Sequence, residues 1–402
     1  MIVNNNIVVF GIQSWDIKIG SNCKNIAMEF AKNNRVLYVS RPIDRINWLR
    51  PNKGELAKYR MDVLKKRVKP LVQVQKNLWA LTPPIVMESV QWIGNYKLFQ
   101  FFNKINNQRI AKSIIKYAAE LGFDKFILFN DSAMFQGFYL KKLLQPELFI
   151  YYSRDYLISQ PYFKKHGPKA EKEILKKADL VVTNSTYLAN YTRKYNSNSH
   201  YVGQGCDFTI FKPQNIEKAH PLMDDIKGPV IGYVGLLTSH RLDIDLIEHI
   251  AKVRPDWSVV LVGSEDENFQ KSNLHNLPNV HFLGFQKPEF LSEFIYGFDV
   301  CINPQILNQM TIGNYPRKID EYLAMGKPVV AIKTEAMTVF KDYVKLANNK
   351  EEYILMIQEL LDDNDPEVVN KRIQFANSHT WENSVQAIGT AIERTRKSKE
   401  FE

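Results

Sequence analysis

The stretch Asn314-Tyr-Pro-Arg-Lys-Ile-Asp-Glu-Tyr-Leu-Ala-Met-Gly-Lys-Pro-Val-Val-Ala331 is punctuated at both ends. Proline suits the first turn of a helix and glycine the residue just past its end. Pro316 therefore opens a short helix, Gly326 stops it, and Pro328 leads into a buried strand. Arg317 and Lys318 fall in the first turn, where the macrodipole is already positive; as free surface cations they cost roughly a few tenths of a kcal/mol. An anion reverses that sign, because a phosphate there meets free backbone N–H groups and two cations together. Glu321, three residues after Lys318 and on nearly the same face, can accept two hydroxyls of a ribose. The bland alternative is a helix with charges of no consequence.

Working outward, the strand Val329–Ile332 is one of a series: Val230–Val234, Ser258–Val262, Val280–Leu283 and Val300–Ile302 precede it, with helical stretches between. The same alternation runs through the first half, in Ile7–Gly11, Val36–Val39, Phe126–Phe129, Leu148–Tyr152 and Leu180–Thr183, separated by helical periods at 22–32, 108–121 and 169–177. Near-continuous apolar strands alternating with amphipathic helices imply parallel sheets covered on both faces. The segment from Gln204 to Gly228, with Pro213, Pro221 and no clear period, reads as a linker. The expected architecture is α/β, with two tandem Rossmann-like doubly wound domains over residues 1–210 and 211–376. Residues 377–402, helical in pattern from Trp381, are expected to cross back to the first domain. Such sheets take ligands beyond their strand C-termini, so a cleft between two facing domains is the expected site.

The chain has 402 residues, 45% of them apolar and 24% charged, which excludes disorder and favours two cores over one. Cys23, Cys206 and Cys301 are too few and too scattered for a disulfide framework or a paired-cysteine metal site. No apolar run approaches the roughly 18 residues of a membrane span, and Met1 leads into a strand without a signal-like segment. A cytoplasmic protein is expected.

The net charge of +10 is uneven: residues 1–210 carry +17 and the remainder −7. One domain therefore faces something anionic. The excess concentrates at Lys53, Lys58, Arg60, Lys65, Lys66, Arg67 and Lys69, with Trp92, Tyr96, Phe99, Phe101 and Phe102 soon after. Cations beside aromatics suit peripheral contact with an anionic membrane. A solvated helix followed by an aromatic core helix reads equally well. Nothing resembles a helix-turn-helix, zinc-finger or RNA-recognition module, so no nucleic-acid partner is expected.

A second feature is Gly232-Tyr-Val-Gly-Leu-Leu-Thr-Ser-His-Arg241, at the exit of a strand. Glycines there let the backbone approach a ligand, and Arg241 could add charge for a diphosphate. Together with 255–263, 277–285, 298–304 and 316–330, and with 171–185 and Gly203-Gln-Gly-Cys-Asp207 upstream, this order and spacing resembles the retaining, family 4-like glycosyltransferases (glycosyl transferases group 1) of the GT-B fold, of the bacterial surface polysaccharide type. The resemblance covers most of the chain and is more specific for fold than for substrate.

That resemblance implies a nucleotide-sugar donor, with UDP or GDP, held by the second domain. Lys318 and Arg241 match its diphosphate-binding, catalytic cations, Glu321 the ribose-binding carboxylate, Gly284 and Phe285 the loop passing the base, and Gly235 the phosphate-facing glycine. His240, Gly263, Asn314, Tyr315 and Pro316 complete the expected donor site. The acceptor, a glycan or polyprenyl-linked sugar, belongs to the first domain near the loops 11–22 and 130–132, with Ser14, Trp15, Asn130 and Asp131 as its expected contacts. Two departures stand out. Many members place a Glu eight residues before the position of Glu321, where this chain has Gly313. Where relatives keep a His at the end of a first-domain strand, this chain has Asn130-Asp131. Asp131 or Asp155 takes over a catalytic role beside the sugar, or simply caps a helix. No metal is expected: the one tempting DxD, Asp243-Ile-Asp245, opens a helix, where residues two apart diverge. The implied activity is transfer of a sugar from a nucleoside diphosphate sugar, with retention, in surface polysaccharide synthesis. A catalytically silent GT-B scaffold and a sugar-nucleotide 2-epimerase share the fold and remain open alternatives.

Overall fold

The computed structural model describes residues 2–16, 20–50, 54–362 and 365–400. Of the basic run, Lys53 lies outside the described residues, as do residues 17–19 of the loop 11–22. The chain forms two compact units, Met1–Gly203 with Trp381–Glu402, and Gln204–Thr380.

Unit 1 is built on β1 (Asn6–Gly11), β2 (Arg35–Val39), β4 (Leu71–Gln75), β5 (Leu78–Leu81), β7 (Ile127–Asp131), β8 (Leu148–Ser153), β9 (Leu180–Thr183) and β10 (Ser199–Tyr201). They lie in the order β10-β9-β8-β7-β1-β2-β5-β4, with β3 (Ile43–Asp44) and β6 (Val86–Met87) paired separately. Every pairing in the large sheet is parallel except β4 with β5, an antiparallel edge that the apolar-run pattern does not announce. β7, β8 and β9 are buried throughout, as strands covered on both faces must be. Side chains alternate between the layers: Val8 and Phe10 join Phe99, Ile114 and Phe135, while Ile7 and Val9 join Ile26, Phe30 and Phe129. The second layer is completed by the helix Trp381–Glu400, whose Val385, Ile388 and Ile392 are buried in it. Asn198 Nδ2 donates to Thr395 Oγ1 at 2.9 Å, and Lys399 reaches Asp179 at 2.6 Å.

Unit 2 orders β11 (Val230–Val234), β12 (Ser258–Val262), β13 (Val280–Phe282), β14 (Val300–Asn303), β15 (Val329–Ile332) and β16 (Lys345–Ala347) as β13-β12-β11-β14-β15-β16, all parallel. Residues 204–228 are not a free linker. Phe211 and Met223 are buried in the core of unit 2, with Phe208, Ile210 and Ile216 packed against it. The prolines and charges of that segment hide widely spaced apolar anchors. The change of unit accordingly falls at 203/204 and 380/381, rather than at 210/211 and 376/377. Gly232 also serves packing: a Cβ there would meet the Phe298 ring at 2.1 Å. All three cysteines are buried thiols.

Glu171, on the helix Gly167–Lys177, is buried in unit 1 and accepts a hydrogen bond from Tyr191 Oη at 2.9 Å. Burial pushes its carboxyl up to about 7, against the pull of that bond. A carboxyl raised in the fold holds its proton where the unfolded chain has lost it, so its contribution is complete below about pH 4.5 and lost as pH rises through about 7. Glu171→Gln keeps a partner for Tyr191 but cannot ionise. Urea unfolding followed by circular dichroism should show the variant gaining on the parent by about 3 kcal/mol between pH 4.5 and 8. Parallel pH profiles would refute this.

Candidate functional site

In unit 2 the helix Arg317–Ala324 begins after Pro316 at its N-cap, one position earlier than a first-turn proline, and no side chain among the described residues caps it. Its opening N–H groups are thus left to solvent or a ligand. It ends as the sequence implies: Gly326 has φ +74°, and the amides of Gly326 and Lys327 return to the carbonyls of Leu323 and Tyr322. Ile319, Tyr322 and Leu323 bury its inner face.

Glycines line the strand ends beside this helix. Three neighbouring strands, β11, β12 and β13, are followed at their C-terminal ends by Gly235, Gly263 and Gly284, with φ of +140°, +154° and +66°. A Cβ on Gly235 would lie 2.1 Å from Lys318 Cε and 2.2 Å from its Nζ, so the lysine side chain rests directly on a bare α-carbon. A Cβ on Gly263 would strike the carbonyl oxygen of Gly235 at 1.9 Å. Lys318 Nζ also stands 5.5 Å from the centroid of the Tyr233 ring. At this edge, Phe285 is 72% exposed, an apolar ring presented to solvent beside Gly284.

His240 and Arg241 are exposed on the loop after β11, and that loop is tied to the segment following β14. The Ile306 amide donates to the Arg241 carbonyl at 2.9 Å, and Asn308 Nδ2 to the His240 carbonyl at 3.0 Å. Asn314, half-buried, donates its amide to the Thr311 carbonyl at 3.0 Å. Glu321 is half-buried; burial raises its carboxyl's affinity for a proton, while Lys318 and Arg317 pull it back down. Asp243 is occupied as the cap of the helix Ile244–Val253, accepting from the Leu246 amide. Among the described residues, no three His, Cys, Asp or Glu side chains gather as metal ligands.

Tyr315 is turned inward. Its hydroxyl donates to Asp320 Oδ2 at 2.8 Å, and Cys206 Sγ reaches the same oxygen at 3.3 Å. His379 Nδ1 lies 2.7 Å from Asp320 Oδ1. Asp320 is wholly buried, which raises its carboxyl's proton affinity against the pull of these partners. It anchors the helix Arg317–Ala324, a role that charge pattern alone does not suggest, because two of its three partners, His379 and Cys206, are far away in sequence.

In unit 1, the residues expected at the β1 and β7 ends divide. Asn130 is buried, its Oδ1 accepting from the Ala133 amide at 3.0 Å. Asp131 is also buried and is held by Arg154 Nε at 2.7 Å, with Asp155 3.3 Å from Arg154 Nη1. Both carboxylates are therefore engaged with one guanidinium, whose proton affinity they raise. Arg154 follows β8 immediately, and that position at a parallel strand's C-terminal end was the available signal for it. Ser14 is buried, and Trp15 packs edge-on against Tyr38, ring centroids 5.2 Å apart, with Lys24 Nζ 5.0 Å from the Trp15 ring.

Residues 228–363 match the model of a family described as glycosyl transferases group 1. The Bacillus subtilis (strain 168) protein TuaH, named as a teichuronic acid biosynthesis glycosyltransferase, is 26% identical over 242 residues, a match covering 57% of this chain and 60% of TuaH. Sucrose-phosphate synthase from Thermosynechococcus elongatus superposes with a TM-score of 0.66 at 16% identity, covering 98% of this chain and 100% of that one. HepE from Anabaena, solved with UDP, gives 0.65 at 15% identity, covering 97% and 100%. These likenesses show the fold: two Rossmann-like domains of the GT-B type.

Replacing Asp320 with Ala strands Tyr315, His379 and Cys206 in the core. Breaking a buried ionic network by removing one member typically costs about 3 to 5 kcal/mol. Denaturant unfolding of Asp320→Ala should show a loss of that order; less than about 1 kcal/mol would mean the network is not an anchor.

Proposed function

We propose, from the match of residues 228–363 to glycosyl transferases group 1 and from the GT-B fold, that the chain transfers a sugar from UDP-sugar to a glycan or polyprenyl-linked acceptor in the synthesis of a surface polysaccharide. The observation that carries this reading is Lys318 lying on the bare α-carbon of Gly235, at the open N-terminus of a helix. A diphosphate bound there accepts hydrogen bonds from backbone N–H groups and takes the charge of Lys318, with Arg241 as the second cation. Glu321 binds the ribose hydroxyls, and Phe285 stacks against the base beside Gly284.

In the reaction the bond from the anomeric carbon to the diphosphate oxygen breaks, its electron pair staying with the diphosphate. The acceptor hydroxyl oxygen bonds to the same carbon, with retained configuration, and passes its proton to the departing diphosphate oxygen. Positive charge already in place at the departing oxygen lowers the barrier most, because it needs no reorganisation as the negative charge develops. Lys318, Arg241 and the helix N-terminus supply that charge, a task a divalent ion performs elsewhere. His240, Asn314, Pro316 and Gly263 shape the sugar and phosphate end. In unit 1, Asp131 and Asp155 act by holding Arg154, and Ser14, Trp15 and Asn130 line the acceptor's place. UDP is the nucleotide with which HepE was solved; GDP is the alternative.

The membrane face of this reading rests on unit 1. Trp92 is 73% and Phe101 59% exposed, and Lys97 and Lys104 are exposed on the same helix as Phe101. Phe99, by contrast, is buried in the core. Aromatic residues set among lysines suit the headgroup region of an anionic leaflet. No helix among the described residues is long and apolar enough to cross a membrane.

Two measurements test these statements. Calorimetric titration of UDP should show at least a tenfold weakening for Lys318→Ala and for Glu321→Ala, with unfolding transitions like the parent's; unchanged affinity in both overturns the donor site. Co-sedimentation with vesicles of anionic lipid should fall severalfold for Trp92→Ala/Phe101→Ala, and equal recovery overturns the membrane contact.

A further inference from the structure

Arg60 belongs by sequence to a solvated or membrane-facing basic helix, but the fold turns it inward. From the helix Glu55–Leu64 its Nη2 donates to the buried Ser14 Oγ at 2.6 Å, and its Nε is shut off from solvent without a partner. The next residue, Trp15, donates its amide to the Oγ of Ser40 at 3.0 Å. Ser40 is buried and is followed by Arg41, half-buried, whose Nη2 donates to Tyr162 Oη at 3.1 Å. The side-chain amides of Gln91 and Gln136 converge on the same phenol oxygen. Arg60, Ser14, Ser40, Arg41 and Tyr162 thus form one tied series just beyond the C-terminal ends of β1 and β2, the edge at which open parallel sheets take ligands.

Arg45 and Arg109 are paired with Glu88, Arg154 with Asp131, and Arg254 with Asp256. Neither Arg41 nor Arg60 makes an ion pair among the described residues. Their charges act on each other: after burial, Arg41 is the main influence weakening Arg60's hold on its proton. Two carboxylates are near enough to offset this at longer range. The oxygens of Asp44 already accept from Asn47 and Ser89, and the carboxyl of Asp16, an otherwise exposed residue, is partly buried, which favours its proton against the pull of Arg60 and Lys24. Donors therefore outnumber acceptors: two guanidinium groups and two side-chain amides serve one phenol and one hydroxyl, the Ser40 hydroxyl being taken by the Trp15 backbone amide. Half-buried like charges with free N–H donors are a cost that an oxyanion with several oxygens removes.

We propose that Arg41 and Arg60, backed by Ser14, Ser40 and Tyr162, form a subsite in unit 1 for an anionic group of the acceptor, either the diphosphate of a lipid-linked sugar or the carboxylate of an acidic glycan. The word acceptor rests on the glycosyltransferase reading; the anion subsite itself does not.

The test uses the full chain carrying Lys318→Ala, so that the donor site does not take up the probe. Inorganic pyrophosphate and glucuronate are titrated separately by calorimetry. Saturable binding of at least one is expected, weakened tenfold or more by Arg41→Gln and by Arg60→Gln, and weakened less by Arg60→Lys, which keeps the charge and loses the fork. On the chain with no substitution, the anion that binds should protect Arg41 and Arg60 from phenylglyoxal, read by mass spectrometry, so a variant that fails to fold does not remove the test. Pyrophosphate binding alone assigns a diphosphate-linked acceptor, and glucuronate binding alone an acidic glycan. Binding of neither, or binding indifferent to both arginines and without protection, overturns the subsite. UDP affinity of Arg41→Gln with Lys318 intact should equal the parent's. Failure of the donor site at Lys318 is thereby separated from failure here.

Discussion

The passage of the Gly235 carbonyl over the bare α-carbon of Gly263 sets the geometry of unit 2's strand-end edge. Gly263 must lack a side chain for that carbonyl to pass, and Gly235 must lack one for the Lys318 side chain to lie where it does. Two adjacent strands thereby come together closer than any other residue would permit. The same constraint leaves the helix N-terminus open and Glu321 half-buried in reach of two cations. Asp320 supports this from the inner face. Its carboxylate gathers a buried tyrosine, a buried thiol and a half-buried histidine, so the helix cannot shift without unpairing all three.

Positive charge in the two units is handled differently. In unit 2 the cations at the helix start are balanced within a turn by Glu321. In unit 1, which carries the chain's basic excess, half-buried Arg109 and Arg154 are paired with carboxylates, whereas Arg41 and Arg60 donate to hydroxyls. Net charge read along the sequence indicated that this domain meets an anion. It could not separate lysines spread over a surface from a pair of guanidinium groups folded inward.

What was legible depended on the range of the interaction. Strands such as Val230–Val234 and Leu180–Thr183 are covered on both faces and read as unbroken apolar runs, so their bounds agree with the structure. Edge elements do not share that signature: β4 and β16 are short and partly exposed, and neither stands out. The segment 204–228 misled because its prolines signal a loop, whereas Phe211 and Met223 pin that loop to a core. The helix Arg317–Ala324 was legible because its stop and start are local chemistry, Gly326 and Pro316. The Asp320–His379 and Arg60–Ser14 contacts join residues 59 and 46 positions apart, and no local pattern encodes them. Arg154 was within reach, one residue before the Asp155 that drew attention.

The helix Trp381–Glu400 supplies part of unit 1's second layer although all of unit 2 lies between them along the chain. During synthesis on a ribosome, the body that begins first therefore cannot close first. Its groove of Ile26, Phe30 and Val182 stays uncovered while nearly two hundred further residues emerge. Unit 2, drawn from one uninterrupted stretch, has everything it needs earlier. The nascent polypeptide thus spends part of its life with a finished later half and an unfinished earlier one, a natural target for a chaperone that recognises exposed apolar grooves.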